Sequence, residues 1–393
     1  MNSRRQFLRQ AALGAAAASL APSLLRGGDA FAPDSPPAPS AAGAASPLVP
    51  LVDWHSHIVT PGELRFLSAR PQAPRVFTDA QGRQLFENLT TVSSVSREAT
   101  PTSPSNIPQR IQHLEASGVG RQLLTYTVAI GYDATIPTAE LRPFFRGLND
   151  DLAAIVRSRP DRFLGVAALP TADPVWAAEE LARAHKELGL IGGALPLNAF
   201  ASLESARTQA PLFAAGQRLG SHFFIHRAPA SSTLPGQPPL IVPTDTGSVR
   251  WSVISNTHLV NGAITLGLTD FLDPYPDVSV QVIMLGGFLP YIIDSIVAAG
   301  PRLGIKDPLA RLRRIYLEPG PYSGSNADWV AYAAAKFGAD RILFGTDYGV
   351  GGGNATDRLA PSIAKLDQAL SAEQRRLIYV DNTRALLKAK GLS

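Results

Sequence analysis

From residue 49 onward, short apolar and β-branched runs alternate with stretches of helical period, the pattern of successive βα units built on a parallel sheet. Eight runs predict strands: LVDWH (51–55), RQLLTYTV (121–128), RFLGVAAL (162–169), IGGALPL (191–197), HFFIHR (222–227), VSVQVIML (278–285), RIYLEP (314–319) and RILFGTD (341–347). Between them lie helical patterns such as LRPFFRGLNDDLAAIVRSR, DPVWAAEELARAHKELG and NADWVAYAAAKFG. Eight strands over residues 49–390 fit a decorated (β/α)₈ barrel of the TIM type. An open doubly wound sheet is the alternative, but it calls for a glycine-rich phosphate turn after the first strand, and DWHSHIVTPG is not one.

The N-terminal 48 residues break this rhythm. MNSRRQFLRQAALGAAAASLAP pairs twin arginines, Arg4 and Arg5, with Phe7 and Leu8 and then a soft alanine-rich run, too short and too weakly apolar for a membrane anchor. It resembles a twin-arginine export signal over residues 1–32, which implies dealings with the export machinery and a periplasmic or other extracytoplasmic destination. Ala30-Phe31-Ala32 is the cleavage pattern closest to its end, with SAAGAAS further on as another. Residues 33–48 read as a Pro/Ala/Ser linker.

Composition narrows the chemistry. With 45% hydrophobic and 17% charged residues, the chain has material for a large core. The net charge of +4 looks basic, but the first 32 residues carry four arginines against Asp29 alone, so the remainder stands near +1. That removes the support for a nucleic-acid partner. The absence of cysteine excludes thiolate nucleophiles, cysteine zinc sites and iron–sulfur clusters.

In a barrel, catalytic side chains sit at the C-terminal ends of strands. The first strand ends in DWHSH, where His55 and His57, two apart, point to one side; the fifth delivers His226 and the eighth Asp347. Three neutral imidazoles and one carboxylate suit zinc or a similar divalent ion such as manganese, with room for water or substrate. Singly, a His-X-His is often an accident, and Asp347 could cap the following turn. Jointly, at three strand ends, they point to a metal site.

LVDWHSH, FFIHRAP, FLDPYPDVSVQVIMLGGFLPYIIDSI, RILFGTDY and VDNTRALLK resemble, in order, the amidohydrolase superfamily, in the branch related to aminocarboxymuconate-semialdehyde decarboxylase. The resemblance runs from about residue 49 to 388 and is weakest at 60–105 and 228–243. It implies a distorted (β/α)₈ barrel with one divalent metal on His55, His57, His226 and Asp347, with Asp347 and His226 nearest the chemistry. The branch usually shows HGGG at the end of strand six; here Met284-Leu285-Gly286-Gly287 stands there, so the usual histidine is replaced by a residue that cannot be a base. His222 reads as a core residue, His113 and His185 as solvent-side, and His258, placed at the start of the helix after strand five, as the one candidate substitute. Arg227 and Arg250 have the fork that matches a substrate carboxylate, against the ordinary reading as solvated arginines.

Three functions remain open: a non-oxidative decarboxylase of a small unsaturated or aromatic acid, with Asp347 delivering the proton; a hydrolase of a lactone, an amide or an activated C–C bond, with Asp347 taking a proton from metal-bound water; and a non-catalytic exported binding protein. The intact ligand set argues against the third. The partner is a small molecule, the mature chain needs no membrane span, and a homodimer is left open.

Overall fold

In a computed structural model, described for residues 51–87, 100–126, 131–238, 248–349 and 355–392, the eight expected βα units close into a distorted barrel. The export-signal and linker readings lie outside the described residues. Strand β1 is Leu51–Ile58; β2 (Arg75–Thr78), β3 (Gln84–Glu87) and β4 (Thr100–Pro101) form a small antiparallel sheet in the first insertion. The remaining strands are β5 (Val119–Tyr126), β6 (Phe163–Gly165), β7 (Ala167–Ala168), β8 (Gly192–Pro196), β9 (His222–His226), β10 (Ser279–Val282) and β11 (Tyr316–Leu317). All neighbours in the barrel run parallel, in the orders β1-β5-β6 and β7-β8-β9-β10-β11.

Two expected strands are irregular. The run at 162–169 is broken into β6 and β7 at Val166, and the run at 341–347 pairs through single bridges instead of a continuous ladder. That eighth segment still closes the barrel: Leu343 N–H donates to Leu317 O at 2.9 Å, Trp54 N–H to Phe344 O at 2.9 Å and His57 N–H to Tyr348 O at 2.6 Å. The irregularity has a local cause, since Asp347 adopts φ 58°, a left-handed conformation that no regular strand accommodates.

Strand alternation sets what faces inward. On β9, Phe223 points out and stacks on Phe213 of the helix Ala210–Leu219, with ring centroids 4.5 Å apart, while Phe224 points in against His55 at 5.1 Å. Phe213, Phe223, Phe224 and Ile225 are all fully buried, each contributing roughly 1.5–3 kcal/mol of apolar burial. Helices begin where the sequence supplies caps. Thr60 accepts from Glu63 N–H ahead of Pro61–Ser68, directly after β1, and Asp173 accepts from Trp176 N–H ahead of Pro174–Lys186. No helix among the described residues is long and apolar enough to cross a membrane.

Candidate metal centre

The C-terminal ends of β1 and β9 bring three imidazoles together. His55 Nε2 lies 3.1 Å from His57 Nε2, the two rings are nearly perpendicular at 86°, and the His57 and His226 ring centroids are 4.9 Å apart. The ligating atoms of His55, His57 and His226 all fall within 4.8 Å of one another. Asp347 joins from the eighth segment, its Oδ1 lying 3.0 Å from His57 Nε2 and 3.4 Å from His55 Nε2. The carboxylate thus faces the histidines.

A second layer fixes these side chains. Glu318, fully buried at the end of β11, accepts from His55 Nδ1 at 2.7 Å, which turns Nε2 of His55 toward the cluster. Asp53 accepts from Thr346 N–H at 3.0 Å, Thr346 Oγ1 at 2.7 Å and Gln122 Nε2 at 2.9 Å, tying β1 to β5 and to the residue before Asp347. Arg110, buried in the helix Ile107–Ser117, donates to His57 O, to Ser56 Oγ at 3.2 Å and to Gln122 Oε1 at 3.1 Å, with its guanidinium 4.6 Å over the Tyr348 ring.

The charge balance favours a cation. Burial pulls the His55 pKa down, but the Glu318 carboxylate, with Asp347 and Asp53 behind it, lifts it to about 9: the cluster draws positive charge to that point. Burial and the neighbouring imidazoles push His226 well below its ordinary value, and burial lowers His57, so both are neutral at neutral pH and present lone pairs. Burial would raise Asp347, but the His57 hydrogen bond and the imidazoles hold its carboxyl well below the usual carboxylate range.

The residues therefore fit a divalent ion. Nε2 of His55 and Nε2 of His57, 3.1 Å apart, stand close to the separation of about 3.3 Å that two nitrogens take up on one ion at metal–nitrogen bonds of about 2.0–2.1 Å and a tetrahedral angle. The Nδ1 of His226 is buried with no hydrogen-bond partner among the described residues, as a ring that turns its attention to an ion would be. His55, His57 and His226 form a divalent-metal site.

Other sequence candidates fall into place unevenly. Met284 lies just past β10 at φ 52°, half-buried, its backbone N–H donating to Glu318 Oε1 at 3.2 Å. Arg227 follows His226 and is half-buried; burial lowers its pKa, opposed by the Asp347 carboxylate and the Tyr322 hydroxyl beside it. Arg250 is exposed in the first turn of the helix Ser248–Leu268. His258 is not at the start of that helix, as expected, but ten residues into it, because the helix begins well before the SNTH motif; it is half-buried. His222 is a core residue, bonded to Ser279 Oγ and Gln281 Oε1, both at 3.0 Å. His113 and His185 are not free solvent-side groups: each is half-buried, His113 Nδ1 lying 2.7 Å from the Tyr348 hydroxyl and His185 Nε2 2.8 Å from Ser221 Oγ. Glu318, Asp53, Arg110 and Arg358, whose Nη1 lies 3.5 Å from Asp347 Oδ2, were not singled out from sequence. The legible signal was an acid at the end of an apolar run, in IYLEPG and LVDWH.

Comparison with known proteins agrees with this architecture. Residues 123–280 match the amidohydrolase family model. The chain is 28% identical over 257 residues to gamma-resorcylate decarboxylase of Rhizobium sp. (strain MTP-10005), covering 61% of this chain and 75% of that protein. It is 34% identical over 119 residues to 2-amino-3-carboxymuconate-6-semialdehyde decarboxylase of Dictyostelium discoideum, covering 30% of this chain and 32% of that protein. Among solved structures it is similar to a dihydroxybenzoic acid decarboxylase from Polaromonas sp. JS666 with bound manganese and the inhibitor 2-nitroresorcinol, with a TM-score of 0.60 at 20% identity, over 86% of this chain and 97% of that one. The barrel is the amidohydrolase (β/α)₈ fold.

Proposed function

We propose that this amidohydrolase-superfamily enzyme releases carbon dioxide non-oxidatively from a small aromatic carboxylic acid, using one divalent ion held by His55, His57, His226 and Asp347. The observation that carries the reading is the Asp347 carboxylate, 3.0 Å from His57 Nε2 at the mouth of the barrel, in a chain whose relatives are decarboxylases of aromatic or unsaturated acids. When bound, the ion supplies a Lewis-acid anchor for substrate oxygens. Asp347, ionised at rest, relays a proton from solvent to the carbon that loses its carboxylate. The C–C bond breaks, its electron pair stays on the ring carbon, and the proton fills that position. Neutral His226 completes the donor set, and Arg227, one residue further, offers its guanidinium to the substrate's anionic edge.

Three imidazoles and one carboxylate suit zinc; manganese, found in the Polaromonas decarboxylase, is the alternative. Elemental analysis of the purified protein decides between them. The reaction is tested by offering the metal-loaded protein a panel of hydroxybenzoates in D₂O. Carbon dioxide should appear with one deuterium on the carbon that carried the carboxylate, and Asp347→Asn should stop both. Turnover of lactones, esters or amides with no carbon dioxide from any acid would make the chain a hydrolase. Bound metal without any turnover would make it a binding protein.

Export is part of the same reading. It is supported by Ser3, Arg4, Arg5, Phe7 and Leu8 and by the alanine-rich run that follows. Replacing both arginines by lysine should retain the precursor in the cytoplasm; normal export of the double variant would show another type of signal.

A further inference from the structure

The geometry points to Glu318 as the positioning residue that makes His55 a metal ligand and locks it to the turn that ends strand six. Glu318 Oε1 meets His55 Nδ1 at 2.7 Å and also accepts the Met284 N–H at 3.2 Å; Oε2 accepts the Gly320 N–H at 2.6 Å. Its backbone takes part too, since Leu285 N–H donates to Glu318 O at 2.8 Å. One fully buried carboxylate thus fills its acceptor sites with a candidate ligand, with the turn at Met284-Leu285 and with its own following loop. A buried carboxylate has to be satisfied this fully to be tolerated, and here the partners also fix what His55 can do. With the proton on Nδ1 committed to Glu318, Nε2 is left as the lone-pair atom toward His57 and Asp347.

Two glycines make room for this acid. A Cβ on Gly345 would collide with Glu318 Oε2, and a Cβ on Gly320 would stand 3.0 Å from His55 Nδ1, at a residue whose φ of 51° already disfavours a side chain. The Met284 and Leu285 turn is itself left-handed, with φ 52° and 57°, conformations costing on the order of 1–3 kcal/mol each at non-glycine residues. Glu318 offsets that strain by binding both backbone N–H groups. Strand six thus contributes no titratable side chain to the site, and its turn is instead fastened to the ligand of strand one through an acid on strand seven.

This inference rests on the metal reading of the three histidines. Its test is the affinity of the metal-stripped full chain for Zn²⁺ and for Mn²⁺, measured by competition with a chelating dye, beside the thermal melt of the stripped protein. Glu318→Gln keeps the shape and removes the charge; it should weaken binding by about 10- to 100-fold while the stripped protein still melts cooperatively. Glu318→Asp, with the charge restored at shorter reach, should recover part of that loss. Gly345→Ala, whose Cβ would collide with Glu318 Oε2 and stand 3.0 Å from His55 Cβ, should weaken binding in the same direction. Wild-type affinity in Glu318→Gln would overturn the proposal, whereas wild-type protein that binds neither ion would overturn the metal reading instead. A measurement on the unaltered chain guards against variants that do not fold: long-range ¹⁵N–¹H spectra of the Zn²⁺-loaded protein should show the His55 proton on Nδ1, and a proton on Nε2 would refute the assignment.

Discussion

His55 and His57 stand two residues apart on one strand, and their Nε2 atoms approach to 3.1 Å, close to the spacing of two nitrogens on one shared ion. Strand alternation explains why both point inward, and the perpendicular rings explain how both fit. His55→Ala and Asp347→Ala should each abolish stoichiometric metal while leaving a folded barrel, because strand-end groups serve function more than packing. Metal content by elemental analysis and a cooperative melt check this together; full metal content in both variants would refute the site.

Met284 occupies the strand-six end as a wall. Met284→Ala should change KM more than kcat, with kcat falling by less than about tenfold, below the 10²–10⁴-fold expected on removing a general base. Steady-state kinetics on the substrate identified by carbon dioxide release decide it. A loss of activity with metal retained would assign Met284 a role beyond packing.

Glu63 lies fully buried after β1, receiving a hydrogen bond from the Tyr132 hydroxyl at 3.2 Å. Burial pushes its carboxyl up to about 8 from 4.5. Between those values the unfolded chain has released a proton that the folded chain still holds, so stability falls as pH rises through this window and is untouched below it. Glu63→Gln should therefore match the wild type near pH 4 and exceed it by up to roughly 3 kcal/mol at pH 7. Urea unfolding at the two pH values measures this; a variant equally destabilised at both would contradict it.

Arg110 carries the backbone of a metal-site histidine. Arg110→Met leaves His57 O, Ser56 and Gln122 without their buried donor and should cost on the order of 3–5 kcal/mol, the range for breaking a buried charged partnership. It should also weaken metal binding, because His57 and Tyr348 shift with it. Denaturant unfolding of the stripped protein, followed by metal titration, separates the two effects; unaltered metal affinity would show that Arg110 supports the fold alone.

The sequence made the cluster legible because barrel chemistry sits at strand ends, and those ends can be found from the apolar rhythm alone. His55, His57, His226 and Asp347 were all reached this way, and the structure brings all four together. Strands bent by the site itself were harder. The left-handed Asp347 interrupts the eighth run, which pattern reads as an ordinary strand. Glu318 escaped because an acid ending an apolar run looks like the start of a loop, and only the fold shows it aimed at His55. Arg110 sits in a helix whose charges are indistinguishable from a solvated face until the helix docks on β1. His258 was misplaced because the proline-rich stretch before it hid where its helix begins.

The central claim is metal-dependent decarboxylation at this cluster, and carbon dioxide release tests it most directly. The metal-loaded wild-type chain and Asp347→Asn are to be compared on a panel of hydroxybenzoates, with the gas quantified against the phenol formed. Equimolar carbon dioxide and phenol from the wild type, lost on stripping the metal and in Asp347→Asn, is the predicted result; no carbon dioxide from any acid, beside metal-dependent hydrolysis of a lactone or ester, would contradict it.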